Sequence, residues 1–124
     1  MRLAIVGSRL FAQANHMTDN DNAARYIQWV LTKYQPEVVI SGGAVGIDQL
    51  AATLAAFEDI PVIEHLPKTK NWDGYKARNI LIAEDCTHLL AIIHLKSRSH
   101  GAGWTADYAE KIGKKVYRKT YGAR

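Results

Sequence analysis

A chain of 124 residues, 48% hydrophobic, has the length of one domain and enough apolar side chains for one continuous core, so residues 1–124 are expected to form a single unit. No stretch approaches the roughly 18 uncharged apolar residues of a membrane helix, and the apolar run of MRLAIVG is too short for a signal peptide. Cys86 stands alone, which excludes an internal disulfide and points to a reducing cytoplasm, and the net charge of +4 suits an anionic partner.

Two patterns alternate along the chain. β-branched runs at Leu3–Val6, Glu37–Ser41, Pro61–His65, His88–Ile93 and Lys115–Arg118 predict five strands. Ala23, Ile27, Val30, Leu31 and Tyr34 mark one face of a first helix, with Thr18 as its N-cap and Pro36 as its stop. Leu50, Ala51, Leu54 and Ala55 mark a second helix, and Tyr75–Glu84 holds a third. Thr105, Tyr108, Ala109 and Ile112 mark a fourth, which Gly113 ends. Nearly continuous apolar strands that alternate with helices predict a Rossmann-like three-layer α/β/α sandwich around a mostly parallel sheet. Residues 111–124 are basic, with Lys111, Lys114, Lys115, Arg118, Lys119 and Arg124, which fits either a solvated surface or an anionic partner.

The unusual residues follow strands, where open parallel sheets place their ligands. Gly7, Ser8 and Arg9 follow the first. Ser41, Gly42, Gly43, Ala44, Gly46 and Asp48 follow the second, in the run SGGAVGID. Asn71, Trp72, Asp73 and Tyr75 follow the third and lead to Arg78 and Asn79. Gly101, Gly103 and Thr105, in GAGWT, follow the fourth. Glycines let a backbone approach a ligand closely, and the free N–H groups of the next helix suit an oxyanion. The loops after strands one, two and four are therefore expected to converge on one phosphate-binding pocket. Neither glycine segment is a P-loop, since no Gly-Lys-Ser/Thr ends it, and the spacing differs from the dinucleotide fingerprint.

Single residues stay open between two roles. Asp48 either complements the helix dipole or meets a sugar hydroxyl or base edge. Arg9 and Arg78 offer a planar fork of donors to a phosphate or form surface ion pairs. Trp72 and Tyr75 stack on a base or cover the core edge. His65, His88 and His94 fall in or at strands as packing residues, and His16 and His100 in loops. No pair has metal-ligand spacing and no nucleophile elbow is present, so neither a metal nor a cofactor is expected and no catalytic residue is assigned.

AIVGSR, SGGAVGIDQLA, Trp72 and Tyr75 ahead of Arg78-Asn79, and GAGWTADYAEKIGKKVY together resemble the SLOG superfamily of Rossmann-like nucleotide-binding domains. The superfamily includes the Smf/DprA DNA-processing proteins, the LOG phosphoribohydrolases and small stand-alone domains. The resemblance runs in order through nearly the whole chain. AIVGSR, GID, Arg78-Asn79-Ile-Leu-Ile-Ala and Thr105-Ala106 with Ala109 resemble Smf/DprA and imply single-stranded DNA binding, although the chain is short for those proteins' extra domains. The Trp72–Tyr75 segment is closer to the stand-alone domains and implies a nucleotide or nucleotide-derived ligand. The LOG motif Gly-Gly-x-Gly-Thr with its following glutamates is altered here to GAGWTAD, leaving Asp48, Asp107 and Glu110 as the carboxylates for N-glycosidic cleavage. A dimer is also expected, with Trp29 and Trp104 covering an otherwise exposed apolar helix face.

Overall fold

The computed structural model describes residues 1–12, 17–97 and 100–122. Five strands, β1 (Arg2–Gly7), β2 (Val38–Ser41), β3 (Val62–Glu64), β4 (His88–His94) and β5 (Lys115–Tyr121), alternate with α1 (Met17–Tyr34), α2 (Ile47–Phe57), α3 (Trp72–Asp85) and α4 (Gly101–Lys111). Every strand pair is parallel, in the order β3-β2-β1-β4-β5. The chain winds one way from β1 through β2 to β3, then returns past β1 to β4. The crevice beyond the ends of β1 and β4 is therefore the topological switch point, where open α/β sheets hold their ligands.

The two sheet faces carry separate cores. Leu3, Ile5, Val39, Leu90 and Ile92 point to one face, under Ala23, Ile27 and Leu31 of α1 and Ile47, Ala51 and Ala55 of α2. Ala4, Val6, Val38, Ile40, Leu89 and Ala91 point to the other, under Ile82 and Ala83 of α3 and Ala106 and Ala109 of α4. This arrangement explains why the central strands read as unbroken apolar runs: neither face meets water. The edges differ. β3 has only three residues and β5 is largely exposed, a charged and short pair of edges that resists pairing with another sheet.

Helix ends correct several sequence expectations. Thr18 lies inside α1, which already begins at Met17, so it is not the cap; the preceding residue, His16, falls outside the described residues. Tyr34 closes α1 as an exposed side chain rather than a core one, and Gln35 turns with φ 44° ahead of Pro36. α3 starts at Trp72, capped by Asn71, whose side chain accepts from the Gly74 amide at 3.0 Å. Trp72 and Asp73 are thus helical, not loop residues. The same holds for Gly101 and Gly103, which form the first turn of α4. Gly113, with φ 91° and its amide on the Glu110 carbonyl, does end α4. Arg124 lies outside the described residues.

Candidate functional site

A cleft of about 420 Å³ opens at the switch point. Val6, Gly7, Ser8 and Arg9 at the end of β1 form one wall. Ala44 and Asp48 of the β2–α2 segment form another. Trp72, Tyr75, Arg78 and Asn79 of α3 line it together with His100, at the N-cap of α4, and Gly101, Ala102, Trp104 and Thr105 of α4. Segments after β1, β2 and β4 therefore meet on one cleft, as the glycine motifs implied, and α3 closes the fourth side.

Its lining includes a pair of guanidiniums on one ring. Arg9 lies 5.0 Å and Arg78 5.6 Å from the centre of the Tyr75 ring. The two differ in every other respect. Arg78 is buried; its Nη1 donates to the Gly42 carbonyl at 2.7 Å and its Nε to Asn79 Oδ1 at 2.8 Å. Burial, reinforced by the neighbouring Arg9 charge, pulls its pKa below the ordinary arginine value, with Asp48 acting against that pull. Arg9 is exposed and, among the described residues, makes no hydrogen bond or ion pair beyond its stacking on Tyr75. Its donors face the cleft uncommitted.

Asp48 lies on the floor, in the first turn of α2, and is 7% exposed. Burial pushes its carboxyl up to about 6, although the Ala44 amide, which donates to Oδ2 at 3.1 Å, and the Arg78 charge both favour the ionised form. It is the one acidic residue among the described lining residues. Asp107 and Glu110 do not line this cleft: both are exposed and paired with Arg118, at 2.8 and 2.9 Å, although Asp107 also lines the adjoining cleft.

The glycine loop after β2 mostly supports the cleft rather than lining it. Ser41 Oγ accepts from the Gly43 amide at 3.2 Å and reaches the Asp48 carbonyl, while Asp48 holds Ala44. Gly43 and Gly46 have φ of 70° and 89°, which allows the chain to fold back on itself there. Gly42 lets Arg78 reach the backbone: a Cβ at that position would collide with the guanidinium and come within 3.0 Å of Asp48 Oδ2. Ser41, Gly42, Gly43 and Gly46 lie behind the lining residues of this cleft: the Gly42 carbonyl accepts from Arg78, the Gly43 amide donates to Ser41 Oγ and the Gly46 carbonyl accepts from the Leu50 amide. Gly103 also lies off this cleft. It lines a neighbouring one of about 390 Å³ that shares Ser8, His100, Ala102 and Trp104 with the first.

Ser8 and Thr105 line the cleft but their hydroxyls are engaged. Ser8 Oγ accepts from the His94 amide at 3.1 Å, and Thr105 Oγ1 donates to the Gly101 carbonyl at 2.8 Å. The aromatic wall is larger than the sequence motifs suggested. Trp72 meets Trp104 edge to face at 5.6 Å, and Trp104 stacks on Tyr108 at 5.5 Å. Trp104, expected from the sequence to cover a dimer face, lines this cleft; its place one turn from Gly101 was the available signal. His65 and His94 bond Asp85 and Asp19, at 2.9 and 2.8 Å, and so hold elements together. Among the described residues no helix is long and apolar enough to cross a membrane, and no cluster of His, Cys, Asp and Glu has the makings of a metal site.

No family model and no curated relative matches the chain at the level of sequence. Solved structures do. The chain superposes on DNA processing protein A from Streptococcus pneumoniae with a TM-score of 0.73 and 21% identity, over 94% of its own length and 49% of that chain. It superposes on TM1055, a structural-genomics target, with a TM-score of 0.70 and 18% identity, over 93% of its own length and 71% of that chain. The chain spans about half the length of the first structure. Both likenesses are of fold, and the Rossmann-like α/β fold is the one that the motifs implied.

Proposed function

We propose that this SLOG-fold chain binds a nucleotide or nucleotide derivative in the switch-point cleft. The observation that carries the reading is the Arg9–Tyr75–Arg78 arrangement. Two cations share one ring in the lining of the cleft, and one of them is built into the wall while the other keeps its donors free. The phosphate is taken by the Arg9 fork and by the amides of the first turn of α4, which a helix leaves without internal partners. Trp72, half-exposed beside Trp104, offers a face for the base. Asp48, set back on the floor, accepts from a sugar hydroxyl; an ionised carboxylate would repel a phosphate, so the phosphate sits on the Arg9 side.

A thermal-shift screen against nucleotides and nucleotide conjugates tests the reading, because a ligand of the folded state raises the melting temperature. With the ligand so found, Arg9→Ala is expected to weaken binding roughly ten- to a hundredfold, the worth of a charge-assisted hydrogen bond, with an unchanged melting temperature for the free protein. No shift with any nucleotide, or full affinity in the variant, overturns it.

A second reading, N-glycosidic cleavage, is favoured by one feature. A buried carboxyl held near pH 6 is suited to protonate a departing base at neutral pH. The engagement of Asp107 and Glu110 by Arg118 leaves Asp48 alone for that work. Release of free base from nucleoside monophosphates, lost in Asp48→Asn, supports cleavage; no release from any ligand that binds leaves binding as the function.

A further inference from the structure

We propose that the bare face of β5 and the flank of α1 beside it form a docking surface for a partner protein, and that the occupant is an acidic amphipathic helix. The sheet is covered unequally at this edge. Val116 points to the core beneath α3 and α4. Lys115, Tyr117, Lys119 and Tyr121 point the other way, in register with His88, Leu90, Ile92 and His94. On that side Leu90 and Ile92 of β4 are buried in the core that α1 covers. One strand further out, Lys115, Tyr117 and Lys119 are exposed, Tyr117 by 56%. A sheet face is normally buried by a packed layer, and among the described residues no helix supplies one there.

The flank of α1 is aromatic. Tyr26 stacks on Trp29 at 6.0 Å, Trp29 meets Tyr34 edge to face at 6.3 Å, and Trp29 and Tyr34 are half-exposed. Lysines from both elements lie on these rings. Lys33 Nζ is 4.8 Å from Trp29 and 5.5 Å from Tyr34, and Lys119 Nζ is 5.2 Å from Tyr26 and 5.7 Å from Tyr121. The surface carries cations without acids to match. Among the described residues Arg25, Lys33, Lys115 and Lys119 form no ion pair, whereas Arg118, on the other face of β5, is held by two carboxylates. Of the nearby acids, Asp19 bonds His94 and Glu58 accepts from Thr32 at the flank.

Exposed rings bordered by unpaired cations are complemented by a surface that is apolar at its centre and anionic at its rim. An amphipathic helix offers both, with its apolar stripe on the rings and carboxylates along its flanks. β5 spans roughly 23 Å, the length of a helix of about 15 residues. Bases fit less well. Trp29 is flanked by Tyr26 and Lys33 on neighbouring turns, so a stacked base must displace one of them, while a carboxylate bonds an ammonium from outside and leaves the rings in place. A second copy of the chain would bring Lys33 and Lys119 against their own counterparts with no acid to offset them.

The experiment is fluorescence anisotropy of a labelled synthetic helix of about 15 residues, with leucine on one face and glutamate on the flanks, titrated with the full chain. The control peptide carries lysine in place of glutamate. The acidic peptide is expected to bind, more weakly as salt rises, and the control not to bind. Trp29→Ala is expected to lower affinity about thirtyfold, as an aromatic anchor does. Lys33→Glu combined with Lys119→Glu is expected to abolish binding of the acidic peptide, and it serves in place of Trp29→Ala should that variant misfold. The same double variant is expected to keep the nucleotide signal of the cleft, so failure of the cleft reading and failure of this one are separable. The proposal is overturned by no binding of the acidic peptide at low salt, by equal binding of the two peptides, or by full affinity in the double variant. It is overturned equally by oligothymidylate or phosphatidylserine vesicles that bind more tightly than the peptide and lose affinity in the same variants, or by a dimer in light scattering that Trp29→Ala converts to monomer.

Discussion

Two glycine-bearing segments look alike in the sequence and behave differently in the fold. Both SGGAVG and GAG precede a helix and follow a strand. The first is a true loop, with positive φ at Gly43 and Gly46 and polar groups turned inward to Ser41, Asp48 and Arg78. The second has no residue of positive φ and is the opening turn of α4. Yet Gly101 of that turn lines the cleft, whereas from the loop only Ala44 does. Glycine density therefore marks places where the backbone comes close to something, and that something can be the protein's own buried arginine. What a glycine approaches is decided by the elements across from it, not by the loop that contains it.

The comparison is broken most sharply by adding one methyl group to each segment. Gly42→Ala is expected to displace the Arg78 guanidinium, combining overpacking with loss of a buried charge-assisted hydrogen bond, on the order of 3–5 kcal/mol. Denaturant unfolding of the variant reads this directly. A loss below 1 kcal/mol would mean that the loop gives way easily and is no scaffold.

Asp48 belongs to the same scaffold and adds a pH dependence. Its folded pKa, about 6, lies above the ordinary value of 3.8. Below about pH 4 the carboxyl is protonated in both states and its burial carries no penalty. Stability is then lost as pH rises through about 6, because the folded state must ionise a buried acid. Asp48→Asn, which still accepts from the Ala44 amide, is expected to gain up to about 3 kcal/mol above pH 7 and nothing at pH 4. Unfolding curves for both proteins at the two values decide it, and a gain of equal size at pH 4 would assign the effect to packing. Binding of a phosphate ligand should likewise tighten as pH falls through 6 in the wild type and lose that slope in the variant.

The two arginines sharpen the contrast within the cleft. Arg78→Ala is expected to lower stability by about 1.5–3 kcal/mol as well as affinity, since the Gly42 carbonyl and Asn79 lose their partner. Arg9→Ala is expected to lower affinity alone. Calorimetry and melting curves on both variants give four numbers; equal melting temperatures for Arg78→Ala and wild type would show that the buried arginine is held for the ligand and not for the fold. The smallest effect belongs to the helical glycine segment. A Cβ on Gly103 meets nothing within 4 Å, so Gly103→Ala is expected to be neutral or to stabilise α4 by up to about 1 kcal/mol. A measurable destabilisation there would show that the turn needs glycine for its backbone.

The sequence by itself determined the layered fold and the end of the sheet on which the cleft lies. Strand period, apolar continuity and helix faces are local properties, and a chain that alternates them has few ways to bury both faces of a sheet. All five strands and four helices are where the periodicities placed them, apart from their ends. Those ends were less legible: Trp72 begins a helix because Asn71 caps it, and Gly101 begins one whose first hydrogen bond, from the Trp104 amide to the His100 carbonyl, no spacing of apolar residues marks. The division of labour inside the cleft was decided only by tertiary structure. Arg9 and Arg78 carry the same group in the same sequence setting, beside motif residues. One is buried because Gly42, 36 residues away, leaves room for it, and the other keeps its donors free because, among the described residues, only the Tyr75 ring meets it. Burial, and with it the proton held by Asp48, depends on contacts between segments distant in the chain, which is why no local pattern could distinguish the supporting residues from those that face the cleft.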